Sequence, residues 1–250
     1  MPSNTGESGQ LAKVHPRQNL LSRPDHRGNP KPFASNLTRV VLVLADKPGN
    51  EDLFIDQYYA AAHHLNCELT LFFNKVDQWD STAKQTFARW RDTYERIGTQ
   101  VFEGCAKDAS TLRPLQASLA DETAIFVGQS GAGKSSMIRQ LVIERDIEVG
   151  DLTQHGQGAH TTTTARLYPS QDGGSIIDSP GVRDFRLELL EGVDASRSFT
   201  EFDQYLDECQ FRNCIHLNEP RCGVKSAMAA GKIARSRYAS YLSLCTNADC

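Results

Sequence analysis

The run Gly128-Gln129-Ser130-Gly131-Ala132-Gly133-Lys134-Ser135-Ser136 follows a short apolar segment that ends at Val127 and precedes a segment with helical periodicity. Its first eight residues fit the pattern G-x-x-x-x-G-K-S between a strand and a helix, which is the setting of a phosphate-binding loop. Glycines let successive backbone N–H groups point into one concavity, and the helix adds the positive end of its dipole. We therefore expect residues 128–136 to hold the phosphates of a nucleoside triphosphate.

Two side chains at the end of this run have separate expected roles. Lys134 would neutralise the β- and γ-phosphates and so assist catalysis. The Ser135 hydroxyl would coordinate Mg²⁺. The run identifies a triphosphate site but does not select the base.

Strand and helix patterns alternate on both sides of this loop, which favours βαβ units and a largely parallel sheet. The strands are expected at 40–44, 68–73, 100–102, 123–127, 166–168 and 175–177, the last two as a hairpin, and helices at 52–65, 83–97, 111–119, 134–144, 196–206 and 224–244. The fold class is therefore α/β, a three-layer P-loop NTPase sandwich followed by a small helical domain.

Three regions differ in composition. Residues 1–35 are rich in Pro, Gly, Ser, Asn and Arg, and only Gly9 to Val14 has the pattern of a strand, so we expect an N-terminal arm. Residues 36–186 hold the alternating elements of the nucleotide domain. Residues 187–250 carry no strand pattern and form the proposed helical, metal-binding domain.

Asn74-Lys75-Val76-Asp77 follows the second strand of the sheet and predicts guanine selection. A carboxylate at Asp77 can accept two parallel hydrogen bonds from N1–H and the exocyclic amine of guanine, whereas adenine has no such donor pair there. Lys75 could lie along the base and Asn74 could brace the loop. Cys105-Ala106-Lys107, after the third strand, would place a backbone N–H near guanine O6. Alone the motif is also compatible with a polar turn.

Asp178-Ser179-Pro180-Gly181 ends the strand at 175–177 and predicts a switch. Asp178 would hold Mg²⁺ through a water, and the N–H of Gly181 would contact the γ-phosphate. A threonine from Gly158-Ala159-His160-Thr161-Thr162-Thr163-Thr164 should complete the magnesium shell. We favour Thr162, with Thr161 and Thr163 as alternatives.

His160 is a candidate for orienting the attacking water. Ras-type switches use a glutamine directly after the switch glycine, but this position is Val182, which cannot orient water. His160, beside the candidate magnesium threonines, is the nearest substitute. A solvent-exposed loop histidine is the alternative.

The order of the motifs is permuted. The base-selecting motif at 74–77 precedes the phosphate loop at 128–135, whereas in ordinary GTPases it comes last. The same sheet can still form, because the termini of such a domain lie close together and can be rejoined. The switch is then followed directly by the C-terminal region, which would link nucleotide state to that region.

A cluster of Cys209, Cys214, His216 and Cys222 predicts a metal site. Three thiolates and one imidazole fill a tetrahedral zinc shell without an open position, so the site would be structural. Unmetallated thiols or a disulfide are the alternatives. A metal would compensate for the small core of the region.

Bulk properties narrow the class of protein. The 250 residues are 39% hydrophobic and 23% charged, which is ordinary for a globular protein. The longest apolar run, Val40 to Ala45, is far shorter than the ~20 residues of a membrane span. Residues 1–40 and 221–240 are basic within a net charge of −4. Those ends could contact a polyanion or be solvated surface. We expect a cytoplasmic protein.

Taken together, these motifs resemble the ribosome small-subunit-dependent GTPase A family, the circularly permuted bacterial GTPases of 30S assembly. The likeness covers nearly the whole chain and includes Pro16-Arg17, Leu21-Ser22-Arg23-Pro24, Lys31-Pro32, Asn36 and Asp178-Ser179-Pro180-Gly181-Val182-Arg183. It implies slow GTP hydrolysis stimulated by the 30S ribosomal subunit, binding near 16S rRNA, and a role late in 30S maturation. The cofactors would be GTP or GDP, Mg²⁺ and one structural Zn²⁺, and the protein would act as a monomer.

One departure and two competing hypotheses accompany this resemblance. The family carries an N-terminal OB-fold, and by this resemblance we expect only its last strand and exit linker here, either because the sequence starts late or because this version lacks the barrel. A GTP-dependent RNA-binding adaptor with little turnover is the first competing hypothesis. An ATPase of the same fold is the second.

Overall fold

The structure, a computed structural model, describes residues 13–24, 30–47, 51–143, 166–178 and 195–247. The strands in these residues are β1 (Leu20–Pro24), β2 (Pro30–Ser35), β3 (Arg39–Leu44), β4 (Glu68–Phe73), β5 (Gln100–Glu103), β6 (Thr123–Val127), β7 (Arg166–Pro169) and β8 (Ser175–Asp178). The α-helices are α1 (Asp52–His64), α2 (Ser81–Glu95), α3 (Ala109–Ser118), α4 (Lys134–Leu141), α5 (Gly223–Ala229) and α6 (Arg235–Asn247). Shorter 3-10 segments lie at Val76–Gln78, Ala195–Ser198 and Thr200–Glu208.

Six strands form one sheet in the order β5-β4-β3-β6-β8-β7. The first five of these are parallel, and β7 pairs antiparallel with β8, which confirms the predicted hairpin. Because parallel strands point the same way, the loops after β4, β5, β6 and β8 all leave from one edge of the sheet. That edge is the carboxyl edge, where open α/β sheets bind their ligands.

Strand β3 is buried on both faces and divides the core. Its residues Val40, Leu42 and Leu44 belong to a cluster that includes α1 and α2, through Ile55, Tyr58 and Trp90 among others. The alternating residues Val41 and Val43 belong to a second cluster, with Leu112 and Leu115 of α3 and Met137 and Leu141 of α4. A strand that lies between two helical layers is buried on both faces, so its sequence is a continuous apolar run. The predicted three-layer α/β class is confirmed.

The N-terminal region differs from the expectation. Strands β1 and β2 form a separate antiparallel sheet that pairs Pro24 with Pro30, whereas the sequence indicated only Gly9 to Val14 as a strand. Val14 lies outside any strand, and residues 9–12 fall outside the described residues. Prolines suggested loop, but an isolated two-stranded sheet tolerates them at its ends and free edges.

The C-terminal region also corrects two predicted helices. The helix expected at 224–244 is two helices, α5 and α6, because the N–H of Lys232 turns back to the carbonyl of Ala227, at 2.9 Å, and ends the first. The helix expected at 196–206 is 3-10 in form. Its buried aromatic side chains Phe199 and Phe202 are three residues apart, the spacing that aligns side chains in a 3-10 helix.

A buried arginine joins this region to the sheet domain. The guanidinium of Arg237, on α6, lies 2.6 Å from Asp56 on α1 and 2.7 Å from Glu201. Its centre is 4.4 Å from the ring centroids of Tyr59 and of Phe199. The Tyr94 hydroxyl, from α2, donates to the same Asp56 oxygen at 2.6 Å. Helix α1 therefore packs against the sheet on one side and against the C-terminal helix α6 on the other.

Two smaller observations complete the fold. The helix that follows the phosphate loop ends at Leu141 rather than at Glu144, because Val142 forms a β-bridge with Ser170. Among the residues that the structure describes, no helix is both long enough and apolar enough to span a bilayer.

Candidate nucleotide and metal sites

The predicted nucleotide motifs meet at the carboxyl edge of the sheet. Asn74 follows β4, Cys105 follows β5, Gly128 follows β6 and Asp178 ends β8. Because β4, β3, β6 and β8 are adjacent in the sheet, motifs separated by up to about a hundred residues come together. His160, the candidate threonines 161–163 and Gly181 lie outside the described residues, so their predicted roles stay predictions.

The phosphate loop has the backbone that its glycines were expected to provide. Gly128, Gly131 and Gly133 all have positive φ, at 130°, 81° and 102°. A Cβ at Gly133 would overlap the amide nitrogen of Asn74, so the neighbouring loop approaches too closely for any larger residue. The Lys134 ammonium donates to the carbonyls of Gly128, at 2.6 Å, and Gln129, at 2.8 Å, and so lies over the loop.

Asn74 joins the base motif to two other loops. Its Nδ2 donates to the Ala132 carbonyl of the phosphate loop at 2.7 Å, and its Oδ1 accepts from the Ala106 N–H at 2.8 Å. The side chain is 1% exposed, so both hydrogen bonds are shielded from water. The bracing role expected of Asn74 therefore has a definite geometry, a bridge between the loops after β4, β5 and β6.

Lys75 and Asp77 occupy the exposed side of the same motif. Lys75 has a left-handed backbone, with φ of 63°, and its Nζ donates to the Gly131 carbonyl at 2.6 Å. Asp77 is exposed in the 3-10 turn that follows, and the N–H of Val76 donates to Gly104 at 3.3 Å. A carboxylate on this turn can receive a base whose phosphates lie in the loop that Lys75 touches.

The turn after β5 is held through its backbone. The N–H of Cys105 donates to the Thr111 hydroxyl at 2.9 Å, and the N–H of Ala106 donates to Asn74. Two of the three amides in the segment predicted to place an N–H near the base, those of Cys105 and Ala106, therefore already have acceptors in the protein. Sequence reasoning missed Thr111 because a threonine at the start of a helix carries no motif of its own.

The two described magnesium candidates come from neighbouring parts of the carboxyl edge, Ser135 from the helix after β6 and Asp178 from the end of β8. Ser135 is half-buried in the first turn of α4, directly after the phosphate loop. Asp178 is the last residue of β8, which pairs with β6, the strand that leads into that loop. A hydroxyl and a carboxylate are the oxygen donors that Mg²⁺ prefers, so the two residues could share one ion.

The cysteine and histidine cluster comes together as predicted. Ligand atoms of Cys209, Cys214, His216 and Cys222 all lie within 4.8 Å of one another. His216 faces the sulfurs with Nδ1, which is 3.3 Å from Cys222 Sγ and 3.7 Å from Cys209 Sγ. Tetrahedral zinc at 2.3 Å from each sulfur requires sulfurs about 3.8 Å apart. The four side chains therefore fit zinc.

Backbone donors contact two sulfurs of the cluster, whereas burial opposes ionisation of the thiols in the absence of a cation. The backbone N–H groups of Gly223 and Lys225, in the first turn of α5, donate to Cys209 Sγ at 3.3 Å and Cys222 Sγ at 3.5 Å. Burial, and then the neighbouring sulfurs, raise the pKa of Cys214 to about 12, and burial lowers the pKa of His216. A neutral imidazole is the ligand form of histidine, and a cation would displace the thiol protons.

Comparison with known proteins identifies the family. The model of the RsgA GTPase family matches residues 14–188, more than half of the chain. The chain belongs to the RsgA GTPase family. The predicted resemblance and the expected class of enzyme, a GTPase, are thereby confirmed.

Curated relatives match over nearly the whole chain. It is 40% identical over 242 residues to the small ribosomal subunit biogenesis GTPase RsgA 1 of Vibrio vulnificus (strain YJ016), covering 96% of this chain and 69% of that protein. It is 38% identical over 236 residues to the small ribosomal subunit biogenesis GTPase RsgA of Hahella chejuensis (strain KCTC 2396), covering 94% and 68%.

Solved structures support the fold. The crystal structure of YjeQ from Thermotoga maritima is 28% identical, with a TM-score of 0.73, and the match covers 93% of this chain and 76% of that one. YloQ, described as a circularly permuted GTPase, has a TM-score of 0.75 at 23% identity, over 98% and 77% of the two chains. The permuted order of motifs predicted from the sequence is confirmed.

Proposed function

We propose that this chain binds the 30S ribosomal subunit in the cytoplasm and hydrolyses GTP there during late small-subunit maturation. The observation that carries the nucleotide site is the Asn74 side chain, which ties the base motif to the phosphate loop through hydrogen bonds of 2.7 and 2.8 Å. The ribosomal role is supported by the relatives, which are named small ribosomal subunit biogenesis GTPases.

Each residue of the nucleotide site has a proposed task. The Asp77 carboxylate accepts two hydrogen bonds from guanine, which selects GTP over ATP. Backbone N–H groups of residues 128–136 and the Lys134 ammonium surround the β- and γ-phosphates. Ser135 and Thr162 would hold Mg²⁺, with Asp178 as a further oxygen donor, and the ion would neutralise charge on the phosphates. Charge that develops on the phosphates in the transition state is stabilised by these fixed donors.

His160 is proposed to orient the attacking water. Val182 leaves the position after the switch glycine without a polar group, and His160 stands in the sequence beside the candidate magnesium threonines. His160→Ala should then keep GTP binding and lose single-turnover hydrolysis. Unchanged single-turnover hydrolysis would remove His160 from the mechanism.

The C-terminal domain is proposed to hold one structural zinc ion. Four protein ligands leave no position for water, so the ion would supply folding energy rather than chemistry. The proposed division of the chain is 1–35 as an arm, 36–186 as the permuted GTPase domain and 187–250 as the zinc domain. The arm and the basic stretch at 221–240 would contact 16S rRNA, with the protein as a monomer.

Steady-state GTP turnover with and without purified 30S subunits tests the proposal. We expect slow hydrolysis alone and a stimulation of at least about tenfold by 30S subunits, because a bound partner orders the switch. The 50S subunit serves as the control and should not stimulate. Binding of GTP to the protein and subunit without stimulated turnover would favour the adaptor instead, and turnover of ATP at the same rate would favour an ATPase.

A further inference from the structure

Thr111, in the first turn of α3, connects that helix to the turn after β5. Its Oγ1 accepts the backbone N–H of Cys105 at 2.9 Å. The same oxygen lies 2.8 Å from the carbonyl of Asp108 and 3.1 Å from that of Cys105, so the hydroxyl proton also has an acceptor in the turn. One hydroxyl therefore contacts both ends of the segment 105–108.

The contact between Thr111 and the turn is close-packed. A Cβ added at Gly104 would lie 2.7 Å from Thr111 Oγ1 and 2.9 Å from its Cβ, which is closer than real contacts permit. Gly104 is not among the residues with positive φ, so glycine is needed there for space rather than for backbone conformation. The turn approaches α3 as nearly as the backbone allows.

The other side of the same turn is anchored to the phosphate loop. The N–H of Ala106 donates to Asn74 Oδ1 at 2.8 Å, and Asn74 Nδ2 donates to the Ala132 carbonyl at 2.7 Å. Consecutive amides, those of Cys105 and Ala106, are thus held from opposite sides by two side chains. Without the Thr111 hydroxyl, the N–H of Cys105 would lose its acceptor, and the turn would be held through its other amides, Ala106 to Asn74 and Gly104 to the carbonyl of Phe73 at 2.9 Å.

We propose that Thr111 is a positioning residue for guanine recognition. Because the N–H groups of Cys105 and Ala106 already donate within the protein, the contact with guanine O6 falls to the N–H of Lys107, which donates to no acceptor among the described residues. The Thr111 hydroxyl fixes the 104–108 turn so that this N–H can donate to the O6 carbonyl, opposite the carboxylate of Asp77. This inference rests on the proposed GTPase site and deepens it, because it names a residue outside the nucleotide motifs on which base selection depends. Donors held in place before binding give more affinity than donors that must be ordered by the ligand.

Equilibrium binding of GDP to the full chain tests the role of the hydroxyl. Thr111→Val keeps the shape and removes both hydrogen bonds, Thr111→Ser keeps the hydroxyl, and Ser118→Ala is the matched control. The Ser118 hydroxyl is on the same helix and, within the part of the chain that the structure describes, donates to the carbonyl of Leu115 alone, at 2.7 Å. We expect Thr111→Val to bind GDP about tenfold more weakly. The Cys105 N–H would lose its acceptor, and an unsatisfied donor typically costs enough free energy to lower affinity by about that factor. Thr111→Ser and Ser118→Ala should stay within about twofold of the wild type.

The ligand series separates base recognition from general damage. The wild type should prefer GDP to 6-thioguanosine diphosphate, because sulfur is a weaker acceptor than oxygen. That preference should shrink in Thr111→Val, while the weak binding of ADP stays unchanged. Amide hydrogen exchange should quicken at 104–108 and stay unchanged in β6.

Several results would overturn the inference. These are equal GDP affinity in Thr111→Val and the wild type, loss of affinity in Thr111→Ser as large as in Thr111→Val, or faster exchange throughout the sheet. If the wild type bound ADP and GDP with equal affinity, the result would instead contradict the proposed function itself. The two failures are therefore distinguishable.

Discussion

The carboxyl edge of the sheet and the C-terminal helices are built in opposite ways. At the edge, regular parallel strands bring four loops together, and Asn74 joins three of them by hydrogen bonds to backbone groups. In the C-terminal region, helices are short and side chains do the joining, through the cluster around His216 and the buried Arg237. The first arrangement should persist without its ligand, whereas the second should depend on individual side chains.

Loss of the proposed zinc ion should produce the largest difference between the two regions. Cys222→Ser deletes one ligand of the proposed zinc site, and small structural zinc sites contribute roughly 10 kcal/mol or more to folding. We expect loss of bound zinc by elemental analysis and loss of near-ultraviolet dichroism from Tyr238 and Tyr241, which pack beside His216. GDP affinity should change by less than about threefold, because the loops at the edge hold themselves.

The matched control for this variant is Ser226→Ala, an exposed position on α5, the helix that Cys222 caps. It should retain one zinc ion and the wild-type spectrum. Equal loss of GDP binding and of zinc in Cys222→Ser would show that the two regions fold as one unit and would contradict the contrast drawn here.

Arg237→Met tests the junction between the regions. Asp56 and Arg237 are 0% and 1% exposed, so the variant leaves a buried carboxylate without its cation, which typically costs about 3–5 kcal/mol. Urea unfolding should report this loss. Arg91→Met, which removes exposed pairs with Glu95 and Glu103, should cost at most about 1 kcal/mol.

A double variant distinguishes the charge from the packing. Asp56→Leu combined with Arg237→Met should recover much of the lost stability, because an apolar pair can replace a buried ion pair. If Arg237→Met costs no more than Arg91→Met, the buried pair does not hold the C-terminal helices to α1.

Asn74→Ala should lower stability less than Cys222→Ser or Arg237→Met does and should have a selective effect on function. It leaves the Ala106 N–H and the Ala132 carbonyl without partners, which costs about 2 kcal/mol in unfolding free energy. GDP binding should weaken at least about tenfold, because the base and phosphate loops lose their common anchor. Asn74→Asp keeps the acceptor for the Ala106 N–H, so its GDP affinity should lie between those of the wild type and Asn74→Ala. A GDP affinity of Asn74→Ala equal to that of the wild type would contradict the bridging role.

The sequence predicted the sheet well because its strands carry a local signal. Strands β4 and β6 were predicted with the bounds that the structure has, since each is an apolar run between polar turns. The convergence of the nucleotide loops and of the Cys/His cluster was also predictable, because their motifs place given residue types at fixed spacing.

Contacts between distant or irregular segments were not predictable. Arg237 bonds to Asp56 across 181 positions, and no local pattern at either residue indicates the other. The hairpin of β1 and β2 was missed because its prolines resemble loop, and the break between α5 and α6 because both helices share one apolar periodicity. Each of these features depends on tertiary packing that overrides local preference.

The most direct test of the account is the base preference of Asp77→Asn, measured by titration calorimetry with GDP, xanthosine diphosphate and ADP. The wild type should bind GDP far more tightly than the other two. In the variant, preference should pass from GDP to xanthosine diphosphate, whose added carbonyl pairs with an amide donor rather than a carboxylate. An unaltered preference for GDP would show that Asp77 does not read the base, and the convergence of the base and phosphate loops on one nucleotide would be wrong.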